Sequence, residues 1–221
     1  MGKSKELAEL GQVVSQSNGN VGIGTDIPEQ SLHIKGSNYN EQLVIERADT
    51  SSKWGVAGAG NGAFQVYDIN AGNATRMTID ASGRVTMPYQ PAFSAFRNVS
   101  ASTIYAGGTI VYPNYRFNVG NHYNLSTGVF TAPVDGRYQF NAHFMLHTTY
   151  ANASNMYWGI VVNGVNYALI NYGAASQDGG QTIASTIQLS AGDSAYVSLV
   201  SGSSIQTYGK EYHGFSGYLI G

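Results

Sequence analysis

With 221 residues and a formal net charge of −2, the chain is long enough for one large β domain or two modest units, and two units is the better reading. Only 11% of its residues are charged, against roughly 25% in a typical soluble chain, so its polar surface is largely neutral and rests on Ser, Thr, Asn and Gln. The absence of cysteine excludes a disulfide framework and thiol chemistry, and no apolar run approaches the roughly 18 to 20 residues of a membrane span.

The 28 glycines and 16 tyrosines, with no long stretch of helical period, predict an all-β chain of short strands and many turns. Residues 1–12 carry Leu7 and Leu10 at the spacing of a short amphipathic helix. An isolated helix of that length is marginal in water, so this segment is expected to order only against a partner. It has no signal-peptide core, which predicts no conventional secretion. Met1-Gly2 opens like a myristoylation signal, but Glu6 stands where that signal has Ser or Thr. The Asn-x-Ser/Thr sequons at Asn73, Asn98, Asn124 and Asn152 are read as chance in so Asn- and Ser-rich a chain.

From residue 13 to 91, NGNVGIG at 18–24 and SGRVTMP at 82–88 share a turn glycine followed two residues later by valine, Gly19 with Val21 and Gly83 with Val85. Both read as hairpin elements. Between them LHIKG, QLVIE, KWGVAG, AFQVYDI and TRMTI are short alternating runs separated by Gly and Asn turns, hence narrow strands. Each carries only two or three apolar side chains on a face, so one copy has a thin core. Three chains side by side would supply the missing cover.

VGIGTDIPEQSLHIKG and RMTIDASGRVTMPYQPAFSAF resemble the linking modules of bacteriophage tail fibres and related virion proteins, over roughly residues 1–92. The resemblance implies a trimeric, virion-attached module at 13–91. MGKSKELAEL is similar to the opening of marine phage fibre proteins, which implies an attachment segment at 1–12. Pro88 and Pro91 then punctuate the chain, since proline resists a central strand and restricts the residue before it. The boundary is expected near residue 91.

Beyond it the strands lengthen. Tyr138, Phe140, Ala142, Phe144 and Leu146 alternate with Gln139, Asn141, His143, Met145 and His147, the period of a strand with one buried face. Phe93, Phe130, Tyr138, Phe140, Phe144, Phe215 and Tyr218 are the expected core of this head. Further strands are expected near 155–162, 165–171, 182–189, 194–200 and 212–220. Val162-Asn163-Gly164 and Ala191-Gly192-Asp193 favour tight turns, whereas 148–154, 172–181 and 201–211 are long connections. If successive strands alternate in direction, every short turn lies at one end and every long connection at the other.

Tyr112, Asn118, Tyr123, Phe130, Gly136, Tyr138 and Phe140 fall at the intervals of the complement C1q-like globular head, and AGD at 191–193 and FSGYLI at 215–220 resemble further landmarks of it. The resemblance covers residues 92–221. It departs at Tyr112, where the family prefers Phe, and at Ala142, where it prefers an aromatic. It implies a ten-strand jelly roll that trimerises, as in the tumour necrosis factor superfamily.

Candidate chemistry is sparse. The head holds four carboxylates, Asp135, Asp178, Asp193 and Glu211, and the three aspartates neighbour glycine, which turn chemistry explains better than paired acid-base work. A polysaccharide depolymerase would need two converging carboxylates, and none pair in the sequence. His143 and His147 stand roughly 13 Å apart along a strand, too far to share a metal within one chain, and too few acids remain for a calcium shell. No metal and no cofactor are therefore expected. Arg97, Arg116, Arg137 and Lys210 balance the four acids, which leaves no basic stripe for nucleic acid.

The expected function is a homotrimeric phage virion fibre protein, made in the host cytoplasm. Its first residues would engage other virion proteins, and its head would bind a host glycan or, second, an outer-membrane protein. The long connections mix Tyr with Ser, Gly, Asn and Gln as adaptable binding surfaces do, and Tyr150, Asn152, Tyr172, Gln177, Asp178, Gln206 and Tyr208 are the expected contacts. A purely structural virion component is the rival reading and a depolymerase the weaker third.

Overall fold

A computed structural model describes residues 14–36, 43–98, 102–146, 156–172, 179–202, 204–207 and 212–221. Among these residues there are strands and turns but no helix. The chain divides into two compact units, Met1–Pro88 and Tyr89–Gly221.

In the first unit, β1 (Val14–Ser17), β2 (Asn20–Ile23) and β3 (Leu32–Ile34) make a three-stranded sheet in chain order, with β3 parallel to β2. Asn18 and Gly19 turn the first hairpin at φ 53° and 83°, the left-handed pair that a two-residue hairpin requires. Gly83 also has positive φ, but its turn is a longer one in which Asp80 accepts from the Ser82 and Arg84 amides. The two glycine-valine elements thus share a turn glycine and not a turn type.

The next five strands, β4 (Leu43–Arg47), β5 (Ser52–Gly58), β6 (Phe64–Asp68), β7 (Ala74–Ile79) and β8 (Val85–Thr86), form an antiparallel meander in chain order. Their register sets Leu43, Val56, Val66 and Met77 in one cross-strand row. Ile45 beside Trp54, and Phe64 beside Ile79 and Val85, lie on the same face. On the opposite face Tyr67 lies buried across Gly55, where a Cβ would fall inside its ring. Of this unit's described apolar side chains only Pro28, Ala57, Ala63 and Tyr67 are buried. At roughly 25 cal/mol per Å² of apolar surface, a single copy has little to hold it.

The second unit contains β9 (Ala92–Phe96), β10 (Ser102–Ile104), β11 (Asn114–Val119), β12 (Tyr123–Asn124), β13 (Val129–Thr131) and β14 (Gly136–Leu146). It continues with β15 (Met156–Val162), β16 (Val165–Tyr172), β17 (Gly179–Leu189), β18 (Ser194–Ser201), β19 (Ile205–Thr207) and β20 (Gly214–Leu219). One sheet runs β17-β14-β20-β9-β11, with the short ribbon β19-β10 at the Leu146 end of β14, and the other runs β12-β13-β18-β15-β16. These two sheets build a jelly roll.

β14 alternates as its sequence dictates: Tyr138, Phe140, Ala142 and Phe144 are buried, whereas Arg137 and His143 are exposed. Phe93 stacks on Tyr123 at 4.7 Å between ring centroids and on Phe130 at 5.2 Å, and meets Phe215 edge-on at 5.0 Å. Trp158, Ile160, Val197 and Leu199 close the core from the other sheet. Tyr218, expected inside, is 49% exposed. It stands three residues from the buried Phe215, and an odd spacing in a strand puts the two side chains on opposite faces.

Candidate functional site at the long-connection end of the head

Three short turns of the head meet at one end. Asn163 and Gly164 take the left-handed conformation, φ 49° and 79°, to join β15 and β16. The Asn163 amide group donates to Asp193 Oδ1 at 2.7 Å, and its Oδ1 accepts from the Ser194 backbone N–H at 2.8 Å. Asp135 Oδ1 accepts from the Ala191 N–H at 2.7 Å, which ties in the turn between β13 and β14. The chain enters and ends here too: Pro91 O accepts from Leu219 N at 3.0 Å and Gly221 O from Arg137 N at 2.8 Å.

From Gly136 at this end, β14 runs 11 residues, roughly 35 Å at strand rise, to Leu146. At that far end Leu146 lies opposite both Gly179 and Thr207, Met156 opposite Tyr172, and Tyr157 opposite Ser201. The long connections therefore leave from strand ends gathered at the end opposite the turns, as the parity of short and long connections requires.

Of the expected receptor contacts, Tyr150, Asn152, Gln177, Asp178 and Tyr208 lie outside the described residues, as do residues 1–12, His147, Lys210 and Glu211. Tyr172 ends β16 and Gln206 sits in β19 opposite Thr103. Both backbone positions belong to the long-connection end, one on each sheet.

The described carboxylates of the head serve turns. The Ser190 N–H, and after it the Asn163 amide, hold Asp193 below the usual carboxylate range. Among the described residues no three His, Asp or Glu side chains gather to hold a metal. His143 is exposed on the outward face of β14, its ring over the Gly214 backbone.

The motif residues are scaffold. Asn118 clamps Tyr123, donating to its carbonyl at 2.8 Å and accepting from its N–H at 3.2 Å, and the Tyr138 hydroxyl donates to Val134 O at 2.9 Å. Tyr112 is fully buried, and burial pushes its phenol well above the ordinary range; Tyr123 is displaced the same way. Arg97 reaches the Val111 carbonyl at 2.6 Å beside these two rings, and burial lowers its guanidinium from its ordinary value. His213 is buried against Phe144, with Nδ1 accepting from the Met145 N–H. Sequence reading did not find the roles of Arg97 and His213, since both come from neighbours distant in the chain.

Residues 92–220 match the C1q domain family, and the chain belongs to that family. It is similar to the globular domain of zebrafish complement 1qA protein, with 17% identity over 60% of this chain and 98% of that one and a TM-score of 0.46. It is also similar to the Eiger TNF of S. frugiperda, at 10% identity over 60% and 93% with TM-score 0.44, and to murine APRIL, at 11% over 59% and 99% with TM-score 0.44.

Proposed function

We propose that this protein is a homotrimeric bacteriophage fibre protein whose head binds a host-surface glycan through its long-connection end. One observation carries the reading: β9 begins and β20 finishes among the stitched short turns, so chain leading into the head arrives there and the opposite end of the sandwich is left clear of it. Domains of the C1q and tumour necrosis factor type commonly form homotrimers and bind ligands, which supports both halves of the proposal. The head's balanced charge gives no strong attraction to a polyanion, so a neutral glycan is the first target and an outer-membrane protein the second. Weak single contacts suffice, because linking several heads raises avidity by roughly 10² to 10⁴ where geometry permits. The first residues would hold other virion proteins, and the fibre resemblance of residues 1–92 supports that assignment.

The test replaces Tyr150, Tyr172 and Tyr208 by alanine, singly and together, and measures competition with phage adsorption beside sedimentation. The triple variant should stay a trimer and lose competition. A folded triple-variant trimer that competes as well as the original chain refutes binding at this end and favours a purely structural role. Release of reducing sugar from host polysaccharide would favour a depolymerase instead.

A further inference from the structure

The meander of the first unit has one face that a single chain leaves open. Ile45 is 60% exposed and Val85 54%, and Leu43, Trp54 and Phe64 are exposed with them on one side of the sheet. The open apolar area is on the order of 500 Å², at the upper end of what a monomeric soluble protein presents in one patch and a large part of the roughly 800 Å² each partner contributes to a stable interface.

The occupant can be argued from charge and from the core. Asp68 lies opposite Trp54 in register, and Arg76 neutralises it at 2.8 Å. The ionic groups nearest in register are already paired within the chain, Arg47 with Asp49 and Arg76 with Asp68, so a charged partner finds no complement. A neutral apolar centre with a self-neutralised rim is complementary to another copy of itself. The cover must also be present whenever the unit folds, because only four of its described apolar side chains are buried without it. The small sheet repeats the pattern, with Val14 and Leu32 exposed on the face that also carries Val21, Ile23 and Ile34. We infer that the face carrying Ile45, Trp54 and Val85 is a second self-association surface, outside the C1q-type head, occupied by the same face of other copies of this chain. This rests on the homotrimer reading above. Chains already joined through their heads would meet here at an effective concentration on the order of millimolar.

The chain has two tryptophans, and the other, Trp158, is fully buried in the head. Full-length Trp158→Phe protein therefore reports Trp54 alone. Acrylamide quenching of Trp54 should be several-fold weaker in the assembled protein than in the urea-unfolded chain, and Ile45→Glu in the same background should restore quenching and shift the emission to the red. Sedimentation on the same samples separates the outcomes. A monomer overturns both the homotrimer reading and this inference. A trimer in which Trp54 is quenched as freely as in urea overturns the inference alone. Shielding that persists after dilution to monomers means that a segment of the same chain covers the face, and also overturns it.

Discussion

Phe93→Ala removes the ring around which the head's aromatic core is arranged. Phe93 is 1% exposed, so truncation forfeits its whole burial. A ring burying roughly 150 to 250 Å² at about 25 cal/mol per Å² contributes about 4 to 6 kcal/mol, of which the remaining methyl keeps a part. The stacked contacts with Tyr123 and Phe130 and the edge contact with Phe215 are lost as well. Partial collapse of the neighbours returns some of this. The expected loss is about 4 kcal/mol, within the roughly 3 to 5 kcal/mol of other buried Phe→Ala changes. That is a large share of the roughly 5 to 15 kcal/mol that holds a domain folded. Phe93→Leu should lose less than half as much. Tyr105, 70% exposed, gives the control, with Tyr105→Ala expected within about 0.5 kcal/mol of the original. Urea unfolding of the full chain at one fixed protein concentration measures all three, since self-association makes the midpoint concentration-dependent. A Phe93→Ala loss below about 1 kcal/mol would refute the assignment of this ring as the centre of the core.

Gly159→Ala would drive a Cβ into the Ala168 carbonyl of the neighbouring strand, and backbone yields poorly, so it should cost about 2 to 3 kcal/mol; Gly164→Ala meets open space but strains φ 79° and should cost about 1 kcal/mol, with thermal melts ranking the two. Asp193 is held below its ordinary value in the folded head, so its stabilisation is full above the unfolded carboxylate range and fades as pH falls through the lower folded value. The melting difference between the original and Asp193→Ala should accordingly shrink on acidification, and a difference independent of pH would contradict that role. Tyr112 and Tyr123 are raised by burial, so their contribution is present below the ordinary phenol range and lost as pH rises beyond it. Phenolate absorbance should show two tyrosines ionising only together with unfolding of the head.

The alternation from Tyr138 to Phe144 could be read from sequence because one face is buried along the whole stretch, and period two then fixes which residues point inward. The ends of the sandwich were legible for a related reason: Asn163-Gly164 specifies a two-residue hairpin, and hairpin parity carries each longer connection to the opposite end. Tyr218 was misplaced because aromatic character was counted without its odd spacing from Phe215. The parallel pairing of β2 with β3 could not be read, since strand period is the same for both directions. Nor could the bulge at Tyr115–Phe117 or the buried His213, which depend on partners far along the chain. Of the candidate contacts, Tyr172 and Gln206 have backbone positions at the long-connection end that parity assigns to their strands, but no pattern in the sequence fixes what their side chains touch.

β9 lies between β20 and β11, antiparallel to both, and the chain reaches it at the turn end of the sandwich. Its hydrogen bonds run across the strands. A load applied at the long-connection end and resisted through the incoming chain therefore draws β9 lengthwise, and both ladders are sheared together instead of being peeled one bond at a time. Rupture then follows the forced unfolding rate rather than the equilibrium stability. Tension along that line meets the head in its mechanically strongest direction, whereas a sideways pull on β16, which among the described residues pairs with β15 alone, would meet the weakest.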